Sequence, residues 1–170
     1  MRRKGQFYMI DAFFAAVILF AGIGFIVAEY VSSPQELQTQ TTLLDISDVI
    51  YSHRLADLST QYIQTHYDIL DERLTPIEQA HVWAYNSSTG CAWCLGEARL
   101  LLESVLKDLV PPQFGAKIEL QMVTAGNLTV FNKTINRGIE LMIVNQQVIV
   151  SQVNDTFILG PDVAEVSIWR

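Results

Sequence analysis

What the 170-residue chain lacks narrows it first. It has only two cysteines, so a four-thiolate zinc site cannot be built. His53, His66 and His81 show no metal-ligand spacing and read as surface or partly buried helix residues. There is no Gly-x-Ser-x-Gly elbow, and Gly126 and Gly138 stand alone rather than in a phosphate-cradling loop. Asp71-Glu72 fits a solvated helix end better than an acid/base pair. Basic residues are scarce, 11 against 18 acidic. Beyond Val31 the excess of acid persists with no basic stripe to meet a phosphate backbone, so nucleic acid is not an expected partner. No cofactor, metal or enzymatic activity is expected.

What the chain has is an oily start. Arg2-Arg3-Lys4 precedes Gly5-Gln6, and from Phe7 to Val31 only Asp11 and Glu29 carry charge. A helix of about 20 apolar residues, rising ~1.5 Å each, crosses a bilayer core. Lipid forces such a stretch to satisfy its backbone internally, and basic residues stay on the cytoplasmic side. The expected organisation is therefore a basic leader at 1–5, a membrane-spanning helix at 6–31, and an extracytoplasmic domain at 32–170. The apolar run is too long for a secretory signal peptide and ends without a small-x-small site. An uncleaved anchor holding an outer binding or assembly module is the alternative.

Arg-Arg-Lys-Gly, then Gln-Phe and an apolar helix with an early acid, resembles the class III signal peptide of type IV pilin-like proteins, archaeal ones especially. The resemblance implies cleavage between Gly5 and Gln6 by a prepilin peptidase. It also implies a helix that first sits in membrane lipid and then joins copies of itself or related pilins in a cell-surface filament, with the pilus assembly machinery as a further partner. Asp11 matches the family's assembly carboxylate, which is thought to pair with a neighbour's N-terminal amine. It falls one position later than in the family. A carboxylate in lipid costs on the order of a few kcal/mol and calls for a partner.

The outer domain reads as helices first and strands second, an α+β class with helices packed on a C-terminal antiparallel sheet. A helix is expected from Gln35 to about Leu70, with Leu37, Leu44, Ile50 or Leu55, Leu58, Ile63 and Leu70 as its apolar face. Thr75-Pro76-Ile77-Glu78 is a capping box opening a second helix to about Tyr85. A third runs from Leu95 to Leu109 with Leu100, Leu101, Leu102, Val105, Leu106 and Leu109 buried, and Pro111-Pro112 ends it. Alternation then gives strands over 117–123 and 128–134. Two β-rich runs about Asn145-Gln146-Gln147 form a hairpin or one bent strand. A turn at Gly160-Pro161 precedes a closing strand at 163–169. Trp83, Trp93 and Trp169 are expected as core or interface anchors.

Cys91-Ala92-Trp93-Cys94 opens the third helix but lacks the preceding strand of a thioredoxin-like unit. A local disulfide is the expectation for an exported domain. An inter-subunit bridge and a redox or metal role stay open. Asn86, Asn127, Asn132 and Asn154 begin N-x-Ser/Thr sequons, consistent with an outward-facing glycosylated domain.

Overall fold

The computed structural model describes residues 13–24, 34–136, 139, 141–154 and 157–170. Contacts divide the chain into two units, Met1–Gln38 and Thr39–Arg170. In the first, residues 13–24 are helical (α1), and Phe13, Phe14, Val17, Ile18, Leu19, Phe20 and Ile23 are all exposed. The remainder of the helix expected over 6–31 lies outside the described residues. Among the described residues no helix is long and apolar enough to cross a membrane.

The second unit is α+β: helices packed on a four-stranded antiparallel sheet. After α2 (Pro34–Ser52) come α3 (Gln61–Thr65), α4 (Pro76–Ser88) and α5 (Cys94–Leu106). The strands are β1 (Gly115–Met122), β2 (Gly126–Lys133), β3 (Met142–Asn154) and β4 (Phe157–Trp169), in the spatial order β2-β1-β4-β3. α5 lies against β2 and α4 against β3.

The single helix expected from Gln35 to Leu70 is not formed. Helix α2 stops at Ser52, and the chain continues through a 3-10 turn (Leu55–Asp57), short α3 and a second 3-10 turn (Tyr67–Ile69). Tertiary bonding wins over local periodicity here. Arg54 is extended, and the Leu55 and Ala56 N–H groups donate to the carbonyls of Leu74 and Glu72 instead of continuing a helix. The buried face of α2 is also rotated from the expected one. Thr39, Thr42, Leu43, Ile46, Ser47 and Ile50 are inside, whereas Leu44 is 66% exposed and Leu37 is exposed too.

Helix α4 begins as its sequence dictates. Thr75 Oγ1 accepts from the Glu78 N–H, the Glu78 carboxylate accepts from the Thr75 N–H, and Pro76 opens the first turn. The helix runs to Ser88, three residues past the expected end. In α5, Leu101, Leu102, Val105 and Leu106 are buried as expected, and Leu109 packs partly buried beyond its end. Leu100, expected in that stripe, is exposed.

β3 is one continuous strand, not a hairpin at Asn145-Gln146-Gln147. Gly160-Pro161 is not a turn either. It sits inside β4, joined by a cis peptide, where Ile149 pairs with Asp162 but Ser151 pairs with Leu159. Two residues of β4 thus oppose Val150 alone, a bulge. The extra residue resets the alternation, so Leu159 and Asp162, three apart, both point into the core. A left-handed backbone at Gly160 (φ 105°) makes the bulge fit, and a Cβ there would come within 2.7 Å of the Ile149 carbonyl.

The core face of the sheet carries Ala116, Ile118, Leu120, Ile149, Ala164, Val166 and Ile168. Its other face carries a polar lattice. Lys117 lies 2.7 Å from Glu119, and its ammonium holds that carboxyl below the usual range. Glu165 accepts from the side-chain amides of Gln121 and Gln146.

Candidate functional site

One constellation of reactive side chains lies inside the domain. His81 lies in α4, one turn after Ile77, and is fully buried rather than at or near the surface. Its Nδ1 is 2.8 Å from Ser151 Oγ on β3, and its Nε2 is 2.8 Å from Asp162 Oδ2 on β4. The other Asp162 oxygen accepts from the Val123 N–H at 2.8 Å, just past β1. An ionised carboxylate only accepts, so the hydrogen-bonding assigns the ring proton to Nε2 and makes Nδ1 the acceptor of the Ser151 hydroxyl. Burial is the main influence lowering the His81 pKa, and the Asp162 carboxylate opposes it.

Ser, His and Asp are the residue types of an acyl-transfer triad, but this arrangement does not present a nucleophile. His81 and Ser151 are both at 0% exposure and Asp162 at 5%, so no substrate reaches Oγ in this conformation. What the trio does is hold. A single buried carboxylate fastens the end of β1 and helix α4 to the β4 bulge, and the imidazole passes the connection on to β3. Every polar atom is matched, the condition under which burying such groups is tolerated.

The sequence reading missed this trio, yet a signal for it exists. Asp162 falls in phase with Ala164, Val166 and Ile168, the inward positions of its strand, and His81 is in phase with Ile77 and Ala84 on α4. A polar residue recurring on an apolar phase marks a buried polar group.

Cys91 and Cys94 stand at disulfide distance, their Cα atoms 5.5 Å apart, across the connection from α4 to α5. Cys94 is buried and Cys91 half-buried. The Cys91 N–H donates to the Asn86 carbonyl, so the pair closes the link of a helical hairpin. Trp93 between them is exposed, in contrast to buried Trp83 and Trp169. Of the sequon asparagines, Asn127 and Asn132 are exposed on β2, and Asn86 is half-buried in the last turn of α4. The side chain of Asn154 lies outside the described residues. So do Arg2, Arg3, Lys4, Gly5, Gln6 and Asp11.

Two open grooves flank α5. One, about 710 Å³, runs between α5 and β2 and is lined by Arg99, Glu103, Lys107, Thr129, Phe131 and Lys133. The other, about 750 Å³, lies on the α3 side by Tyr62, Leu100, Ser104 and Asp108. Tyr62 there donates to the Glu97 carboxylate, and burial is the first cause of its raised pKa. Among the described residues no group of His, Cys, Asp and Glu is placed to hold a metal ion. Comparison with protein-family models, curated proteins and solved structures finds no match.

Proposed function

We propose that the chain is a structural subunit of a cell-surface filament, of the type IV pilin-like class and archaeal in character, either a main or a minor adhesive component. The reading rests on one observation: the Arg2-Arg3-Lys4-Gly5 leader set directly against an apolar run with Asp11 near its start. Prepilin peptidase cuts after Gly5. The helix is held in the membrane, N-terminus inward, and then exchanges lipid for the equally apolar helices of neighbouring subunits. The α+β domain forms the filament exterior and carries glycans at its sequons.

Two features support this reading. The described part of the apolar run is helical and leaves seven large apolar side chains uncovered, a surface suited to lipid or like helices. The outer domain holds a cysteine pair at bonding distance, which suits an oxidising exterior. N-terminal sequencing of the protein from membranes or filaments is the test. A start at Gln6 supports the subunit reading. A start at Met1 makes the helix a permanent anchor and overturns it. Electron microscopy of cells carrying Asp11→Ala should show loss of filaments while the protein stays in the membrane.

A further inference from the structure

We infer that β3 is a self-recognition edge, along which two copies of this chain pair antiparallel about a two-fold axis through Gln146. The observation behind it is a chemical palindrome. From Met142 to Val150 the strand reads Met-Ile-Val-Asn-Gln-Gln-Val-Ile-Val. Turned about Gln146, it sets Ile143 opposite Ile149, Val144 opposite Val148, Asn145 opposite Gln147 and Met142 opposite Val150. A two-fold antiparallel pair demands this match, because residue i of one copy faces residue j of the other and j faces i. Apolar meets apolar and amide meets amide at every step, on both faces of the strand.

The edge is open to receive a partner. Among the described residues β3 is the outermost strand of the sheet and pairs with β4 alone. Among the described residues no backbone group outside the sheet bonds to its main chain. Met142, Val144, Gln146, Gln147, Val148 and Val150 are exposed, Val148 at 69%. Edge strands are normally guarded by lysine, proline or a bulge of their own. β3 has no charged residue and no proline in its 13 positions, and its own bulge, at Val153 between Gln152 and Asn154, lies past the palindromic stretch. The opposite edge is guarded. β2 is shorter, bulges at Val130 and carries Lys133, and Arg99 Nε donates to its Thr129 carbonyl.

The palindrome selects a second copy as occupant, and charge does not oppose it at this edge. The chain carries a net charge of −7, so two copies repel wherever their acidic surfaces meet, and an uncharged edge is where they can approach. The acid nearest the edge in the polar lattice is Glu165, one strand in. Paired across the two-fold, the two Glu165 residues stand three strand spacings apart, about 14 Å, beyond the ~8 Å screening length at physiological salt. The inference does not rest on the filament reading.

The full chain in nonionic detergent tests it. Gln146→Cys faces its own copy and should give a disulfide-linked dimer under mild oxidation, while Gln121→Cys, two strands inward, should not. Val144→Glu and Val148→Lys should each weaken association roughly tenfold, since each spoils two symmetric cross-strand contacts. Combining the two substitutions in one chain should restore it, because each introduced carboxylate then meets an introduced ammonium of the other copy. Sedimentation of the protein in its micelle reads this out. If Gln146→Cys links no faster than Gln121→Cys, or the single variants associate as the parent does, β3 is not the interface and the inference falls.

Discussion

The indole of Trp169 occupies the space that a side chain on Gly115 would need. The two residues are paired across β1 and β4, and a Cβ built on Gly115 would overlap Trp169 Cε2 and Nε1. The last strand is therefore closed over the first by an aromatic lid that only glycine admits.

Gly115→Ala should destabilise the domain by about 1–3 kcal/mol, because the ring must leave its place or the strands must part. Trp169→Ala removes the obstruction, so the double variant should be less than additive. Urea unfolding of the four proteins measures the coupling. Additive losses would show that the ring does not rest on Gly115.

His81 gives the domain a pH dependence with a definite sign. Its folded pKa lies below the unfolded value of about 6.5, since burial disfavours the imidazolium. The unfolded chain thus binds the extra proton first. Stability is full above about pH 6.5 and falls as the pH is lowered through and below it. The acids facing the ring are Asp162 on β4 and Glu78 on its own helix, and both favour the proton, which makes the loss shallower without changing its direction. Asp71 and Glu119 are held low by Arg73 and Lys117, so their contribution is lost only in more acidic solution, below about pH 4. The unfolding midpoint should fall between pH 7 and 5 in the native protein, and His81→Gln should flatten that slope while lowering the plateau.

The physical basis of legibility differs from element to element. The capping box at Thr75 and the alternation of Lys117 to Met122 depend on neighbours in sequence, and those elements form where the pattern places them, whereas α5 already ends at Leu106, before the expected stop at Pro111-Pro112. The order of helices before strands was legible for the same reason. Helix α2 misled because its inner face is half threonine and serine. Thr39, Thr42 and Ser47 are buried, whereas Leu37 and Leu44 face out, so an apolar count selects the wrong side. The Gly160-Pro161 bulge was hidden by its composition, which signals a turn when read alone. Only the pairing of β3 with β4 makes it the device that lets Leu159 and Asp162 both face inward. The trio of His81, Ser151 and Asp162 spans 81 residues of sequence, and no local pattern joins its members.

Thr75→Ala removes the acceptor for the Glu78 N–H at the start of α4 and should cost about 1 kcal/mol. Glu78→Ala removes the reciprocal bond to the Thr75 N–H. Because α4 carries His81, fraying of its first turn should loosen the helix against the sheet. Amide exchange should therefore rise at Ile77 to Gln79 in both variants and leave β1 unaffected. Equal acceleration throughout the domain would mean that only global stability had changed.

The cysteine pair separates a brace from a reagent. A link between residues only three apart closes a small loop, and chain entropy assigns it about 2 kcal/mol in that model. Cys91→Ala with Cys94→Ala should therefore lower the unfolding free energy by about that amount and leave the fold intact, since alanine at the buried position 94 adds no unpaired hydroxyl to the cluster that holds Ala98 and Leu101. A redox role requires more: a dithiol form that attacks other disulfides, and an exposed low-pKa thiol in the reduced protein. Trapping with an alkylating agent after mild reduction distinguishes the two. Rapid, selective labelling of Cys91, together with turnover of a disulfide substrate, would make the pair catalytic. Slow labelling that tracks unfolding, with no turnover, is the outcome expected of a brace at the α4–α5 link.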